Sequence, residues 1–515
     1  MSDDDNIGKG ALVVYIERGV LMVAGLVVSA LLARGLSTDH YGIYKLVGSV
    51  LVFSSYAASF GLEMTVTRFI PDYMTKGRPE AANKLLGGAI LIRGLAIAVL
   101  VIGAVGFREQ LGRTFNAQEL FGPLLALLLV HAGFKLLNSI GRAFLTAYSR
   151  RHVVGYVRIV SNLVLAGLIG YLYLTGGGIY LAIAVLAAKS VLEFVLFFAT
   201  GVRHVVENAR ATQGDATLSF SRLGSYSGYN WLFKGGHVFR EYSVDHFIIS
   251  YFLGPTQVAF YGVAIAIPKM LRSVSPGRML HGVLLPTFVE RYEESGSFAD
   301  VKKGYVLLQK INIVLLLPAI LALLAFVPEL IELVYSEKYV GAAWTARILI
   351  AFSFFQSLGD SFYLVSHAVE KANLVFYSSL VGLYNLAADV ALVPFFGING
   401  AALATGSAGL LVFFYFIMVY HSLYDVTFPL LGRTVGVTLL NAVPMLVLFG
   451  ITKMIGLLTV LGMTTVVAGS LTYIGIALFN DVFTAREKRI IMRRAETPFL
   501  RRIWKDEIEK IGLEN

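Results

Sequence analysis

Runs of about twenty or more apolar residues recur from one end of the chain to the other, and a helix of that length crosses the hydrocarbon core of a bilayer. The runs fall at 11–33, 43–62, 85–107, 120–145, 153–174, 178–200, 226–253, 257–283, 305–327, 344–368, 374–396, 398–420, 430–452 and 456–480, which predicts about fourteen spans. Little chain is left over for a soluble domain. Only 15% of the residues are charged and 57% are hydrophobic, too few charges to cover a water-facing surface. Many runs are rich in Gly and Ala without the strict alternation of barrel strands. The expected fold class is an all-α polytopic membrane protein. Met1 to Gly10 carries Asp3, Asp4 and Asp5 and lacks a basic leader and a small-residue cleavage site, so the first run reads as a retained span.

Lys and Arg set the expected orientation. With the N-terminus in the cytoplasm, the cytoplasmic ends carry Arg68, Lys76, Arg78, Arg150, Arg151, Arg222, Lys302 and Lys303, among others. The opposite side carries little beyond Arg34, Arg108, Arg113, Lys338 and Lys453. Both termini are therefore expected in the cytoplasm, in a plasma-membrane setting. The net charge of +10 is accounted for by topology and calls for no nucleic-acid partner.

The halves of the chain repeat. Leu36-Ser37-Thr38 with Tyr44 matches Leu253-Gly254-Pro255 with Tyr261. Asn138 to Arg142 with Phe144 matches Gln356 to Asp360 with Phe362, and Gly177 with Ala182 and Ala184 matches Gly397 with Ala402 and Ala404. The offset stays between 217 and 220 residues, so chance is a poor explanation. Six spans per repeat make the repeats parallel. The expected organisation is an N-lobe at 1–200, a polar cytoplasmic linker at 201–225, a C-lobe at 226–420, two extra spans at 421–480 and a basic tail at 481–515. Leu500, Trp504, Ile508 and Ile511 recur at helical spacing among the tail's Arg and Lys residues, which fits a helix lying on the anionic leaflet.

An ionisable side chain deep in a span costs about 3 kcal/mol on insertion scales and needs a reason. The deep cations are Arg18, Arg93, Lys135, Lys189, Lys234, Arg240, Lys269 and Arg272; the acids are Glu17, Glu193, Glu241, Asp245, Asp360 and Asp389. Lys189 and Glu193 stand four apart and can pair. Glu17 beside Arg18 reads as partly interfacial, and Arg142 and Arg278 can snorkel from span ends. Arg240, Lys269 and Arg272 lie near mid-span in neighbouring helices. Two readings stay open: a salt-bridge network with Glu241 and Asp245, or a cationic patch lining a water-filled cavity. The patch, extended by Arg18 and Lys234, would suit a phosphate or diphosphate head group held by charge-assisted bonds. Asp245 is also a candidate coupling-ion or proton site.

Enzyme chemistry finds no foothold. The chain has no Cys, no P-loop, no H-E-x-x-H and no G-x-S-x-G, and its nine His residues show no metal-ligand spacing. No cofactor and no resident metal are expected, and the bland reading for such a polytopic chain is a transporter.

The stretch LLARGLSTDHYGIYKLVGSV, followed by a helix ending in Phe60-Gly61, resembles the opening of polysaccharide transporters of the O-antigen (Wzx-like) flippase type. The stretch holding Arg240, Asp245, Leu253-Gly254 and Tyr261 is similar to their second-lobe opening, and LLPTFVERYEE, EKYVGAAWTARIL and FFGINGAALAT follow in order. That family belongs to the multidrug/oligosaccharidyl-lipid/polysaccharide exporter superfamily. The resemblance implies V-shaped six-helix lobes and alternating access. It also implies a polyprenyl-(di)phosphate-linked oligosaccharide moved to the outer leaflet, with glycan polymerases or glycosyltransferases as further partners. Spans 13 and 14 match the fourteen-span lipid II flippases. The first repeat lacks counterparts of Arg240 and Asp245, with Val23 and Val28 there instead, so the patch is asymmetric. An ion-coupled antiporter of small cationic drugs or metabolites, centred on Asp245, Asp360 or Asp389, is the alternative.

Overall fold

The computed structural model describes residues 3–210, 217–238, 242–279, 281–424 and 429–454, with fragments of 464–488. Arg240, Glu241, most of the expected span at 456–480 and the amphipathic part of the tail lie outside the described residues. The described residues form helices and no strand. In chain order these are α1 (Asp3–Gly35), α2 (Thr38–Ala57), α3 (Leu62–Thr75), α4 (Pro79–Gly106), α5 (Arg108–Thr114), α6 (Gln118–Phe121), α7 (Leu125–Ala147), α8 (Arg151–Thr175), α9 (Ile179–Arg210) and α10 (Phe220–Val238). They continue as α11 (Tyr242–Leu253), α12 (Pro255–Ser273), α13 (Pro276–Met279), α14 (His281–Ser295), α15 (Phe298–Val334), α16 (Ala343–Ala368), α17 (Ala372–Ser379), α18 (Val381–Phe396), α19 (Ile398–Tyr424) and α20 (Pro429–Met454). A 3₁₀ turn at Glu337–Ala342 separates α15 from α16.

Among the described residues, nine helices are long and apolar enough to cross a membrane, or ten if the bent pair α2–α3 is one span. Lipid suits their outer faces. On α4, Leu91, Leu95, Val99 and Ile102 are 61–72% exposed and follow one another at helical spacing. Such a stripe on a water-soluble protein would be an aggregation site. Helix α7 is not among the nine, and it carries His131, Lys135, Asn138 and Arg142.

The chain divides into two compact units. The first comprises Met1–Ala266, Ile331–Ala342 and Gly382–Thr405. Within it α1 packs on α8 and α7 on α9, while α3, α4 and α7 meet around Val66, Phe69, Ile70, Leu85 and Phe144. The second comprises Ile267–Leu330, Ala343–Val381 and Gly406–Asn515. Its centre is aromatic, with Tyr305, Phe362, Phe413, Phe416 and Tyr420 in mutual contact. Inside it Asn312 donates to Ser361 Oγ at 2.9 Å and Gln309 donates to the Leu358 carbonyl at 3.0 Å, which ties the helices together through their polar groups.

The repeat anchors fall at matching places in the helices. Ser37 precedes α2 and Gly254 precedes α12; Asn138–Arg142 lies on α7 and Gln356–Asp360 on α16; Gly177 and Gly397 precede α9 and α19.

The bend between α2 and α3 is 51°. Phe60 and Gly61 make it with left-handed φ values of 42° and 68°. A side chain on Gly61 would meet the Ser227 carbonyl oxygen of α10 at 2.1 Å from its Cβ. Donors on α10 meet carbonyls at the break: Ser227 Oγ donates to Phe60 O at 2.6 Å, and Trp231 Nε1 donates at 3.1 Å to Tyr56 O, which also accepts from Ser59 N. Gly61→Ala therefore carries both backbone strain and a collision. It should cost about 3 kcal/mol, against about 1 kcal/mol for Gly77→Ala. Gly77 shares the left-handed conformation, at φ 66°, but has open space around it. Thermal unfolding of the two variants side by side checks this, and equal losses would exclude the close approach at Ser227.

Candidate functional site

Asp245 lies in the first turn of α11 and is fully buried in the first unit. Its Oδ2 accepts hydrogen bonds from the Tyr261 hydroxyl of α12 and from Thr405 Oγ1 of α19, the latter at 2.8 Å. Asn385 of α18 places its amide nitrogen 3.1 Å from Asp389 Oδ2 and 3.5 Å from Asp245 Oδ1. Asn385 and Asp389 stand four apart, on one face of α18. Asp389 is also fully buried and within hydrogen-bonding range of Asp245. Among the described residues no cationic side chain forms an ion pair with either carboxyl. Asn385 Oδ1 and Asp389 Oδ1 are buried there with no hydrogen-bond donor.

Two adjacent buried carboxyls cannot both stay charged at low cost. An uncompensated buried ion costs several kcal/mol. The cluster needs a shared proton or a cation, and its donor set is oxygen only: two carboxyls, an amide carbonyl and two hydroxyls. Such a set suits a hard cation.

The expected phosphate-site residues are distributed as follows. Arg18 is exposed in the first unit, next to a Glu17 that is itself buried. Glu17 has partners besides its neighbour Arg18: Arg158 of α8 donates to its Oε1, and Arg151 reaches Oε2 at 3.5 Å. Packing of α1 on α8 buries the carboxylate and brings its partners, which neighbours in sequence could not reveal. Lys234 is exposed on α10, within electrostatic range of Glu63. In the second unit Lys269 is exposed and Arg272 is half-buried, three residues apart on α12. Arg272 donates to Gln356 Oε1 at 2.8 Å and to Asp360 Oδ1 at 3.1 Å, and Arg278 Nε donates to Asp360 Oδ2 at 2.7 Å. Asp360 thus sits between two guanidinium groups. Arg240 lies outside the described residues.

Two further arrangements escaped the sequence. Arg93 is fully buried at mid-helix in α4 and pairs with Glu63 of α3 at 2.7 Å, a carboxylate that also accepts from Ser139. Asn385, Tyr261 and Thr405 complete the Asp245 cluster, and only the spacing of Asn385 and Asp389 in an otherwise apolar helix hinted at it. Lys189 and Glu193 pair at 3.2 Å as their spacing predicts, and Ser161 donates to the same carboxylate at 2.7 Å.

Asp360→Ala leaves Arg272 and Arg278 without their shared counter-charge and should lower stability by about 2–3 kcal/mol. Asp360→Ala combined with Arg272→Met should recover at least half of that loss in a thermal unfolding series.

A family of polysaccharide biosynthesis proteins matches residues 31–344. An uncharacterized membrane protein of Methanocaldococcus jannaschii is 23% identical over 399 residues, 73% of this chain and 75% of that protein. Among solved structures, the lipid II flippase MurJ in an inward closed conformation matches with a TM-score of 0.67 at 16% identity, covering 95% of this chain and 99% of that one. An inward-facing multidrug resistance MATE family transporter of the MOP superfamily matches with a TM-score of 0.67 at 14% identity, over 79% of this chain and 96% of its own. The solved relatives are transporters and a flippase, and the shared fold is polytopic. The chain belongs to the polysaccharide biosynthesis protein family and is a multi-pass membrane protein with the fold of MOP-superfamily transporters.

Proposed function

We propose that this protein flips a polyprenyl-(di)phosphate-linked oligosaccharide from the inner to the outer leaflet of the cytoplasmic membrane by alternating access, with a cation or proton at Asp245 as the coupling species. Membership of a polysaccharide biosynthesis family supports the glycan, and the likeness to MurJ supports the lipid carrier. The observation that carries the coupling is the buried Asp245–Asp389 pair, with two acceptor oxygens that lack donors. The proposal includes two six-helix lobes, 1–200 and 226–420, joined by the linker at 201–225, with both termini cytoplasmic.

In this reading the phosphates meet Arg240, Lys269 and Arg272, with Arg18 and Lys234 on the approach. Arg272 can engage an anion by exchanging its bond to Asp360, which keeps Arg278 as a partner. Binding that favours one conformation shifts the population toward it by its differential affinity and no more. A cation entering the Asp245 cluster removes the carboxyl repulsion, and its release on the other side resets the cycle. Any charge moved through the field gains about 2.3 kcal/mol per 100 mV. The MATE likeness supports a second reading, export of small cationic compounds coupled to the same carboxyls.

Two expectations follow. The melting temperature should rise with added NaCl but not with choline chloride, and Asp245→Asn should abolish that rise, because a ligand that binds only the folded state stabilises it by mass action. If a proton is the species, the salts will act alike and a pH gradient will drive transport. In proteoliposomes, a labelled polyprenyl-diphosphate glycan should flip under a Na⁺ or H⁺ gradient. Asp245→Asn should lose the gradient dependence, and Arg240→Ala or Arg272→Ala should slow flipping at least tenfold. Gradient-driven export of a cationic dye with no movement of the glycan would select the antiporter reading.

A further inference from the structure

Two apolar clefts follow one another along α4. The first, of about 410 Å³, is walled by α3, α4 and the first turns of α10, and Lys84, Gly88 and Ile92 of α4 line it. The second, of about 800 Å³, is walled by α2, α4, α7 and α11, and Val99, Gly103 and Phe107 of α4 line it. These six residues recur at intervals of four and seven, so they form one stripe on one face of the helix. All of the lining belongs to the first compact unit, and none of it lies beyond Leu386. An added Cβ on Gly88 or Gly103 would meet nothing within 4 Å, so open space stands in front of both.

An aromatic stack stands between the clefts at the bend of α2 and α3. Trp231 lines the first cleft and Tyr56 the second, and their rings stack with centroids 5.7 Å apart. Polar groups on the wall are engaged: Thr65 donates to the Gly61 carbonyl and Ser227 to the Phe60 carbonyl. Among the described lining residues only Lys84 is charged. Its bond to Glu80, at 3.3 Å, is an exposed i, i+4 pair and holds it weakly. Beside it Arg78 donates to the Thr217 carbonyl, next to Leu218 of the same cleft. At the far end Arg108 and Arg113 of α5 flank Leu111 of the second cleft. Positive charge thus marks both ends and apolar surface fills the length between, the complement of an apolar chain with an anionic terminus. From Lys84 to Phe107 the stripe runs about 35 Å, close to the whole hydrocarbon core of about 30 Å. A phospholipid acyl chain stays within one leaflet, about half of that thickness. A polyprenyl chain is long enough for both clefts.

We propose that this face of α4 is a track for the apolar chain of a polyprenyl phosphate, which lies through both clefts and across the Tyr56–Trp231 stack. Its phosphate sits at the Lys84 end or at the Arg108 end. A chain held across both halves stays on the track while its head group changes sides. The inference rests on the flippase reading for the identity of the chain.

The test uses Trp231 as reporter. The full-length protein with Trp344→Phe and Trp504→Phe keeps Trp231 as its one tryptophan. In nanodiscs, a polyprenyl phosphate brominated along its chain should quench Trp231 saturably, at a mole fraction where brominated phosphatidylglycerol does not. Gly88→Leu and Gly103→Leu fill one cleft each, and leucine is the better helix former, so both variants should fold. Each should weaken the apparent affinity at least tenfold. A prenyl phosphate long enough for only one cleft should compete at least tenfold less well than the full chain. No quenching in the parent, equal quenching by phosphatidylglycerol, or unchanged affinity in either leucine variant overturns the continuous track. Glycan flipping by a parent that shows no quenching removes the track and leaves the flippase reading. Saturable quenching in a parent that flips no glycan leaves the track and removes the flippase reading.

Discussion

Charge that cannot be hydrated must be compensated, and this constraint organises the polar interior of the protein. The described helices are apolar on their outer faces, as α4 shows with Leu91, Leu95, Val99 and Ile102. Every ionisable group among them therefore has to find a partner, a proton, an ion or water. Most find a partner across a helix interface: Glu17 with Arg151 and Arg158, Glu63 with Arg93, Asp360 with Arg272 and Arg278. These pairs are weak evidence for stability, since a well-packed apolar substitute often serves as well. Their value lies in register, because each fixes one helix against another at a single depth.

Two groups of residues break the pattern, and they have opposite sign. Among the described residues the Asp245–Asp389 cluster holds two carboxyls and no cation. Lys135 and Arg142 of α7 form no ion pair among the described residues, although Glu193 lies within electrostatic range of both. Membrane transport needs places where compensation is left to a ligand, because a site satisfied by its own protein has no use for one. Under the proposed function, the acidic cluster is where a coupling cation or proton would sit. At matching positions of the expected repeat, one half carries Arg142 and the other Asp360.

The bend at Phe60-Gly61 shows how packing is tied to that polar economy. Breaking the helix frees carbonyls that lipid cannot satisfy. Ser227 and Trp231 of α10 supply the donors, and the absence of a side chain at Gly61 lets the α10 backbone approach. The Phe60-Gly61 pair was visible in the sequence as a helix end. Its partner, more than 160 residues later in the chain, was not.

The sequence by itself determined the class of fold, because hydrophobic length is a local property read directly against bilayer thickness. It also exposed the repeat, through a constant offset, and the Lys189–Glu193 pair, through helical spacing. Span by span it was less sure: α7, with its four polar residues, is not among the helices that length and composition alone would place across a membrane. Only the tertiary structure decided which deep charges are spoken for. Arg272 and Asp360 lie 88 residues apart, and Asp245 and Thr405 lie 160 apart. Compensation of a buried charge is a contact between helices, and no periodicity along one helix records which neighbour it will face.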